Sequence, residues 1–319
     1  MAHRRFVTLL RRSVSSLLGV FALGLALALA AAPAGAQESI TVEHALGTTV
    51  VPYKPQRVVV FDFGVLDTLD ALGIEVAGLP KANIPPYLAK YGDAKYANVG
   101  TLQEPDYEAI AALKPDLIII SSRTSAHYDG LSRLAPTIYM GVRFDDYFGS
   151  VKDNVRTLAR LFDVEAAAEA ELAKLEAAIE RVRAGSGGRS ALVLLITGGR
   201  ASAFGPGSRY GFIHDEFGLT PVDTAIQAST HGQVISWEYV LMRDPDYLFV
   251  IDRDAVVAGG AGPSARQVVE NELVRLTRAY RNGNIVYLEP SYWYLSGGGL
   301  QSLALMIQDI EQALLKTAP

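Results

Sequence analysis

The apolar positions follow two patterns, and segments with one pattern alternate along the chain with segments that have the other. Some form short continuous runs, which are typical of strands buried on both faces of a parallel sheet. Residues 117–120 and 247–251 are such runs, and mainly apolar stretches at residues 57–63, 191–197 and 284–288 are also predicted strands. Longer segments between and after them, such as residues 300–314, place apolar residues at helical spacing. Strands that alternate with helices in this way predict an α/β fold.

Two of the predicted strands belong to a repeated unit. Residues 108–123 (EAIAALKPDLIIISSR) and 238–253 (EYVLMRDPDYLFVIDR) share a Glu, a Pro-Asp pair that begins seven positions after it, and an Arg fifteen positions after it. In each copy, proline should end a short helix that leads into the apolar strand. Because that helix runs antiparallel to its strand, its Glu and the final Arg should share the rim where ligands of open sheets bind. Two copies predict two lobes that face each other across a cleft.

A long helix is predicted between the two copies. Residues 164–184 contain no proline and are rich in helix-forming residues, and Asp163 is expected to cap their first turn. The helix should be on the order of 30 Å long. Its position midway between the copies favours a rigid strut over an ordinary surface helix. We therefore predict two Rossmann-like lobes, at residues 37–162 and 187–319, joined by a connecting helix at residues 163–186.

The N-terminus has the pattern of a secretory signal peptide. Two arginine pairs precede an apolar run at residues 17–32, and the small-residue sequence Ala34-Gly35-Ala36 follows it. The run of about 16 residues is short for a membrane span. Removal of residues 1–36, with cleavage near Ala36-Gln37, is therefore expected in preference to a membrane anchor.

Composition narrows the range of partners. The chain has no cysteine, which excludes a disulfide framework and a lipidated N-terminal cysteine, so the mature protein is expected to be soluble. The predicted signal peptide contains four arginines and no acidic residue, and its removal changes the formal net charge from −5 to −9. No nucleic-acid partner is expected, because phosphate contacts need clustered Lys and Arg. Any anion that binds must meet a local basic cluster.

Three arginines are candidates for such a cluster. Arg123 and Arg253 end the two copies of the repeat, and Arg209 follows a glycine-rich turn at the start of a helix predicted over residues 208–217. Guanidinium groups are suited to planar, delocalised oxyanions. The glycine-rich turn lacks the Lys-Ser/Thr pair of a P-loop, so a nucleotide is not expected there.

A histidine and an aromatic segment also lie near predicted strand ends. His231 occurs in a polar turn before the second copy, and Tyr292, Trp293 and Tyr294 form part of a loop that continues into glycines. A single histidine is most often a hydrogen-bonded loop residue, although it is also a common metal ligand. Aromatic residues at such a place most often pack between lobes. The residues alone therefore leave metal ligation open.

Five stretches of the chain together resemble a known family. They read RVVVFDFGVLDTLDALGI, GTLQEPDYEAIAALKPDLIII, SRYGFIHDEFG, STHGQVISWEYVLMRDPDYLFVIDR and EPSYWYLSGGGLQS. From about Ile40 to Leu315 the chain is similar to the periplasmic substrate-binding proteins of iron-siderophore ABC importers, and most of all to the branch that binds ferric catecholates. The resemblance implies the class III periplasmic binding protein fold and a periplasmic receptor without enzymatic activity.

The resemblance also implies a role for each candidate. In that branch a His and a Tyr complete the coordination of iron that a tetradentate bis-catecholate leaves unsaturated, which points to His231 and Tyr294, with Tyr292 as the alternative tyrosine. Phenolate is a hard donor suited to Fe(III), and imidazole also binds iron. The arginines around the anionic oxygens would be Arg123, Arg209 and Arg253. The Fe(III)-siderophore is then the transported ligand of a monomeric receptor, and no permanent cofactor is expected.

The family implies a membrane partner as well. Its members dock on arginines of an ABC transporter permease through one acidic residue in each lobe, which Glu108 and Glu238 match. A Glu in the first turn of a helix is also favoured by the helix dipole, and both explanations can hold together.

Other functions remain open on the sequence. A receptor for heme, cobalamin or a ferric hydroxamate fits the same pattern. Bare metal is disfavoured because the mature chain has four histidines without paired spacing. From a different class, an exported metal-dependent or nucleotide-dependent enzyme on a Rossmann-like scaffold is disfavoured by the lack of H-E-x-x-H, P-loop and G-x-S-x-G motifs.

Overall fold

The computed structural model describes residues 38–257 and 262–316. The predicted signal peptide and its cleavage site therefore lie outside the described residues. The described chain opens with an antiparallel hairpin of β1 (Ser39–His44) and β2 (Gly47–Pro52).

A five-stranded parallel sheet forms the first lobe, with the strand order β5-β4-β3-β6-β7. Its strands are β3 (Val58–Val60), β4 (Gly78–Leu79), β5 (Ala97–Asn98), β6 (Leu117–Ile120) and β7 (Thr137–Tyr139). The helices of this part are α1 (Phe63–Ala71), α2 (Tyr107–Leu113), α3 (Tyr128–Ser132) and α4 (Tyr147–Phe162), with 3₁₀ turns at Pro86–Gly92 and Ser122–His127. All of β3 and β6 is buried, as continuous apolar runs predict.

A second, mixed sheet has the order β11-β9-β8-β12-β13, and a short strand, β10, pairs with the start of β8. Its strands are β8 (Ser190–Thr197), β9 (Arg200–Phe204), β10 (Thr220–Pro221), β11 (Gln233–Val234), β12 (Tyr247–Asp252) and β13 (Ile285–Leu288). Strands β8, β12 and β13 are parallel, whereas β9 is antiparallel to β8 and β11 is antiparallel to β9. The helices here are α6 (Phe212–Asp215), α7 (Trp237–Arg243), α8 (Asp254–Val257), α9 (Ala265–Val269), α10 (Arg278–Arg281) and α11 (Leu300–Leu315), with a 3₁₀ turn at Val274–Leu276.

The two copies of the repeated unit fold alike. Each has a seven-residue helix, α2 or α7, that ends at a residue with positive φ before the proline. The next aspartate accepts a hydrogen bond from backbone N–H at the beginning of the neighbouring parallel strand. Arg57 donates to Asp116 at 2.7 Å, and Ser190 donates to Asp246 at 2.9 Å. The Pro-Asp pair thus ends the helix and aligns two adjacent strands in both sheets.

The helix between the two sheets is α5 (Glu165–Ser186), which packs against α4 and α11. The predicted cap at Asp163 is wrong. Asp163 has φ 60° and ends α4, and the residue before α5 is Val164. An N-cap has extended backbone geometry, which a left-handed residue does not supply. The Asp163 carboxylate instead pairs with Lys54 Nζ at 2.5 Å.

A carboxylate on α1 caps the last helix of the chain. Asp67 is 0% exposed and accepts hydrogen bonds from the backbone N–H groups of Gln301 (2.8 Å) and Ser302 (2.6 Å), in the first turn of α11. The Tyr87 hydroxyl donates to the same carboxylate at 3.0 Å. A carboxylate at this position satisfies otherwise unpaired N–H groups and interacts favourably with the helix dipole. Any side chain at Gly299 would clash with Asp67, so the approach is close.

Three segments differ from their predicted structure. The glycine-rich turn after β8 contains a strand, β9, and the helix predicted over residues 208–217 is shortened to the single turn α6. The aromatic segment after β13, expected as a loop, forms a π-helical turn at Ser291–Leu295.

Candidate ligand-binding cleft

A cleft of about 400 Å³ lies beyond the carboxyl ends of β3, β6 and β7 and is closed on its other side by segments of the second half of the chain. Its polar and aromatic lining includes Asp62, Gln103, Ser121, Arg123, Tyr147, Arg209, Tyr210, His231, Trp293 and Tyr294. Ligands of open α/β sheets bind at this end of the strands. Four of the predicted site residues, Arg123, Arg209, His231 and Tyr294, therefore line one cleft.

The three predicted arginines converge on Tyr294. Its backbone carbonyl accepts hydrogen bonds from Arg123 Nη2 at 2.7 Å and Arg209 Nη2 at 2.8 Å. Its hydroxyl accepts from Arg253 Nε at 2.9 Å. The guanidinium carbon of Arg209 lies 4.4 Å from the Tyr294 ring centroid, and those of Arg123 and Arg253 lie 5.6 Å from it. A single tyrosine thus holds cations from both halves of the chain in one place.

The cations change the acidity of that tyrosine. Burial by itself raises the pKa of the Tyr294 phenol, but the hydrogen bond from Arg253 and the charges of Arg209, Arg253 and Arg123 outweigh it. The pKa of Tyr294 is therefore lowered from its ordinary value. In return, the contact with Tyr294 raises the pKa of Arg253 despite the opposing effect of burial.

The arginine cluster is incompletely compensated by the protein. Burial, followed by the like charge of Arg209, lowers the pKa of Arg123. Guanidinium groups remain charged in proteins, so the lowered value marks unfavourable desolvation and repulsion. An anionic ligand between Arg123 and Arg209 would offset both the desolvation of Arg123 and its repulsion by Arg209.

Local structure explains how Tyr294 reaches the cleft while Tyr292 does not. The π-helical turn separates the two side chains, and Tyr292 is not among the residues that line the cleft. The Tyr292 hydroxyl donates to both carboxylate oxygens of Asp309 at 3.0 Å, and Trp293 Nε1 donates to the same group at 2.9 Å. These bonds attach the turn to α11 on the Tyr292 side, and Tyr294 lies on the side that faces the cleft.

An aromatic stack forms one wall of the cleft. The ring of Tyr147, on α4, stacks on Phe212 at 4.3 Å between centroids, and Phe212 stacks on Trp293 at 5.5 Å. All three residues are buried and line the cleft. Because they come from three separate segments, their packing joins the two halves of the chain.

His231 lies at the exposed edge of the cleft, in the loop between β10 and β11. Its backbone N–H donates to Ser229 Oγ at 3.1 Å, and within the described residues its imidazole has no hydrogen-bond partner. The following Gly232 has φ +73°, and an added Cβ would lie 2.7 Å from the Phe204 ring. This glycine lets the loop pass close to β9, which places the neighbouring imidazole at the cleft.

Sequence reasoning missed two cleft residues that follow parallel strands. Asp62 comes after β3, and its carboxylate accepts a hydrogen bond from Ser121 Oγ, after β6, at 2.5 Å. The available signal was the position of both side chains at strand ends. Asp62 also caps α1, accepting from the N–H groups of Gly64 and Val65, so its pattern indicates a helix start equally well.

The two glutamates predicted to dock on a permease occupy equivalent places. Glu108 is the second residue of α2 and Glu238 is the second residue of α7. Both side chains are exposed. Since these helices begin at the end of the sheet where β6 and β12 finish, both glutamates lie toward the rim on which Arg123 and Arg253 follow their strands.

Among the described residues, no cluster of three or more His, Cys, Asp or Glu side chains is arranged to hold a metal ion. None of the helices among residues 38–257 and 262–316 has the length and apolarity needed to span a bilayer.

The chain belongs to the periplasmic binding protein family, whose pattern matches residues 58–292. Solved relatives share the fold, and the predicted class III architecture, with two α/β lobes joined by a long helix, is confirmed.

Individual relatives are siderophore-binding proteins. The chain is 49% identical over 286 residues to the petrobactin-binding protein YclQ of Bacillus subtilis, a match that covers 88% of this chain and 90% of the relative. The YclQ crystal structure has a TM-score of 0.84, with 87% and 99% of the two chains covered. The ferric-anguibactin-binding protein FatB of Vibrio anguillarum is 37% identical over 278 residues, covering 85% of this chain and 86% of FatB. The periplasmic catecholate-siderophore binding protein VctP of Vibrio cholerae is 39% identical, with a TM-score of 0.82 and coverage of 86% and 100%.

Proposed function

We propose that this chain is the exported solute-binding protein of an ABC importer and that it captures a ferric catecholate siderophore in the cleft. Family membership and the ligands of YclQ, FatB and VctP support the class of cargo. The lobes would be residues 37–162 and 187–319, joined by the connecting helix at residues 163–186. The mature protein would be a periplasmic monomer that begins near Gln37.

The observation that carries this proposal is the convergence of three guanidinium groups on Tyr294. Ferric catecholates bear more negative charge than Fe(III) neutralises, and arginines bind such delocalised oxyanions through charge-assisted hydrogen bonds. Arg123 and Arg209 line the cleft, and Arg253 donates to the Tyr294 hydroxyl. The cluster therefore suits an anionic chelate better than a neutral one.

Tyr294 and His231 are the proposed protein ligands to the iron. A tetradentate chelate leaves two of the roughly six positions on Fe(III) for protein donors, and phenolate with imidazole suits that ion. Phenol must lose its proton to bind iron, and the lowered pKa of Tyr294 favours that loss. The Asp309 bonds of Tyr292 support Tyr294 as the iron-binding tyrosine.

Intrinsic fluorescence tests the proposal. The chain has two tryptophans, and Trp293 lines the cleft, so a Trp237→Phe background isolates a reporter at the site. We expect ferric bis-catecholate to quench Trp293, and His231→Ala to weaken its binding by about tenfold or more, as loss of a metal ligand does. His127→Ala is the matched control, because His127 lies outside the cleft lining. If a ferric hydroxamate bound best and His231→Ala had no effect, the iron-ligation assignment would be wrong.

Glu108 and Glu238 are proposed to dock on the permease. Their equivalent, exposed positions on α2 and α7 support this role, since one partner could contact both lobes at once. Charge reversal to Arg at either site should leave siderophore affinity unchanged and impair uptake through the importer. Glu171→Arg, on the connecting helix, is the control and should transport normally. Loss of siderophore binding in either variant would place these glutamates in the binding site instead.

A further inference from the structure

The hydroxyl of Tyr210 is a buried polar group that has no hydrogen-bond partner. Tyr210 lies two residues before α6, is 1% exposed and lines the cleft. Within the described residues, its hydroxyl is the one fully buried side-chain oxygen or nitrogen that forms no hydrogen bond. A buried tyrosine hydroxyl usually finds a partner, and an unpaired one is destabilising. A phenylalanine would avoid that cost, so the fold alone does not explain a tyrosine at this position.

The surroundings of this hydroxyl offer it no acceptor. Burial raises the pKa of the Tyr210 phenol, and the charges of Arg209 and Arg123 oppose that effect only in part. The group therefore keeps its proton at neutral pH and is available as a donor. Guanidinium groups cannot accept a hydrogen bond, and the nearby carbonyl of Tyr294 already accepts from both arginines. An acceptor for Tyr210 must come from a ligand in the cleft.

The ring of Tyr210 is held in place independently of its hydroxyl. It meets the ring of Phe204 edge-on, with 4.8 Å between centroids, and the guanidinium carbon of Arg209 lies 5.2 Å from its centroid. The turn that carries it is closely packed, since an added Cβ at Gly211 would lie 2.7 Å from the backbone nitrogen of Gly207. The hydroxyl is thus a preorganised donor, and a ligand that accepted its hydrogen bond would pay little ordering entropy for it.

We infer that Tyr210 is a further siderophore-binding residue, whose hydroxyl donates a hydrogen bond to an iron-bound catecholate oxygen of the ferric chelate. This inference rests on the proposed function and deepens it, because Arg123, Arg209 and Tyr294 are the residues proposed to surround those oxygens. A hydrogen bond to an ionised oxygen is about twice as strong as a neutral one. A chelate with an apolar group at this place would leave the hydroxyl unpaired, so Tyr210 selects for ligands that present a charged oxygen to it.

Tyr210→Phe separates ligand binding from folding, because it removes the hydroxyl and keeps both ring contacts. Titration of the Trp237→Phe protein with ferric bis-catecholate, read by Trp293 fluorescence, should show an affinity about tenfold weaker in the variant. Without ligand, its urea midpoint should equal or exceed that of the parent, since no unpaired hydroxyl remains. Tyr91→Phe is the control. Its buried hydroxyl donates to Asp70 at 2.9 Å, outside the cleft lining, so this change should lower the urea midpoint and leave the affinity unchanged.

The absorption of the bound complex reports on the oxygens directly. A hydrogen bond to an iron-bound oxygen withdraws electron density and raises the energy of the catecholate-to-iron charge-transfer band. At saturation, Tyr210→Phe should therefore move that band to longer wavelength, and Tyr91→Phe should not. An affinity within about twofold of the parent, an unmoved band, or a urea midpoint that falls as in Tyr91→Phe would overturn the inference and assign the hydroxyl to the fold. Failure of ferric bis-catecholate to bind the parent protein would instead refute the proposed function.

Discussion

At the scale of single residues, Tyr294 organises the charges of the site. Its carbonyl accepts from Arg123 and Arg209, and its hydroxyl accepts from Arg253. The protein thereby holds three positive charges around one aromatic ring, where they repel each other when no ligand is bound. This arrangement favours the phenolate form that iron binding would require.

Removal of Arg253 should therefore raise the pKa of Tyr294. Arg253→Met deletes a hydrogen bond and a positive charge, so burial would act with less opposition. The phenolate absorbance of the ligand-free protein, followed against pH, gives the titration, and Tyr294→Phe identifies its contribution. Arg275→Met is the control, since Arg275 lies 6.0 Å from the ring of a different tyrosine, Tyr280. An unchanged Tyr294 titration in Arg253→Met would contradict the electrostatic account.

The sequence indicates some of these residues and not others for physical reasons. Arg123 and Arg253 are found through the repeat, because identical spacing in two units places both after a strand. The choice between Tyr292 and Tyr294 depends on the π-helical turn, which periodicity does not predict. Asp62 was not predicted as a cleft residue, because an aspartate between a strand and a helix also has the pattern of an ordinary helix cap.

At the scale of helices and strands, the contact between Asp67 and α11 is the clearest case of a side chain joining distant elements. Burial raises the pKa of Asp67 from 3.8 to about 6, and the hydrogen bonds from Ser302, Gln301 and Tyr87 offset only part of that effect. The folded protein therefore holds the Asp67 proton more tightly than the unfolded chain does.

The resulting pH dependence has a definite sign. The contribution of Asp67 to stability should be fully present below about pH 4 and should be lost as the pH rises through about 6. Between about pH 4 and pH 7.5, the free energy of unfolding of the wild type should fall relative to Asp67→Asn by on the order of 3 kcal/mol. Urea unfolding of both proteins measures this, with Asp129→Asn, an exposed carboxyl on α3, as the control. If the free energy of unfolding of the wild type instead rose with pH relative to that of Asp67→Asn, the hydrogen bonds, and not burial, would dominate the pKa of Asp67.

Elements with a strong local signal are predictable from the sequence. The continuous apolar runs gave β6, β8 and β12, and the proline-free segment gave α5. Strand β9 was not predicted, because RASAF alternates weakly within a glycine-rich region and is stabilised by pairing with β8. The cap at Asp163 was wrong because a two-residue connection between α4 and α5 requires a left-handed residue there.

At the scale of the whole molecule, three features join the two halves of the chain and should limit relative motion of the lobes. They are the connecting helix α5, the cap of α11 by Asp67, and the stack of Tyr147, Phe212 and Trp293. Each crosses between the halves, and separating the buried carboxylate from its N–H partners would leave buried polar groups unsatisfied, which is costly.

Ligand binding should therefore close the cleft by only a small hinge motion. Solution X-ray scattering of the protein with and without a ferric bis-catecholate should show nearly the same radius of gyration. A control without iron separates binding of the chelate from nonspecific effects of the catecholate. A large decrease on ligand binding would mean that the three contacts break, and that the connecting helix does not act as a strut.

The Asp67 cap also affects how the chain completes its fold. The N–H groups that satisfy this carboxylate lie 234 and 235 residues further along the chain. The hydrogen bonding of the first half is therefore complete only after α11 has formed. During synthesis and export, the early segments would expose an unsatisfied carboxylate and the apolar surface around it. The protein should accordingly acquire protease resistance late and in one step, when its final helix docks, and a chain that ends before Leu300 should remain protease-sensitive throughout.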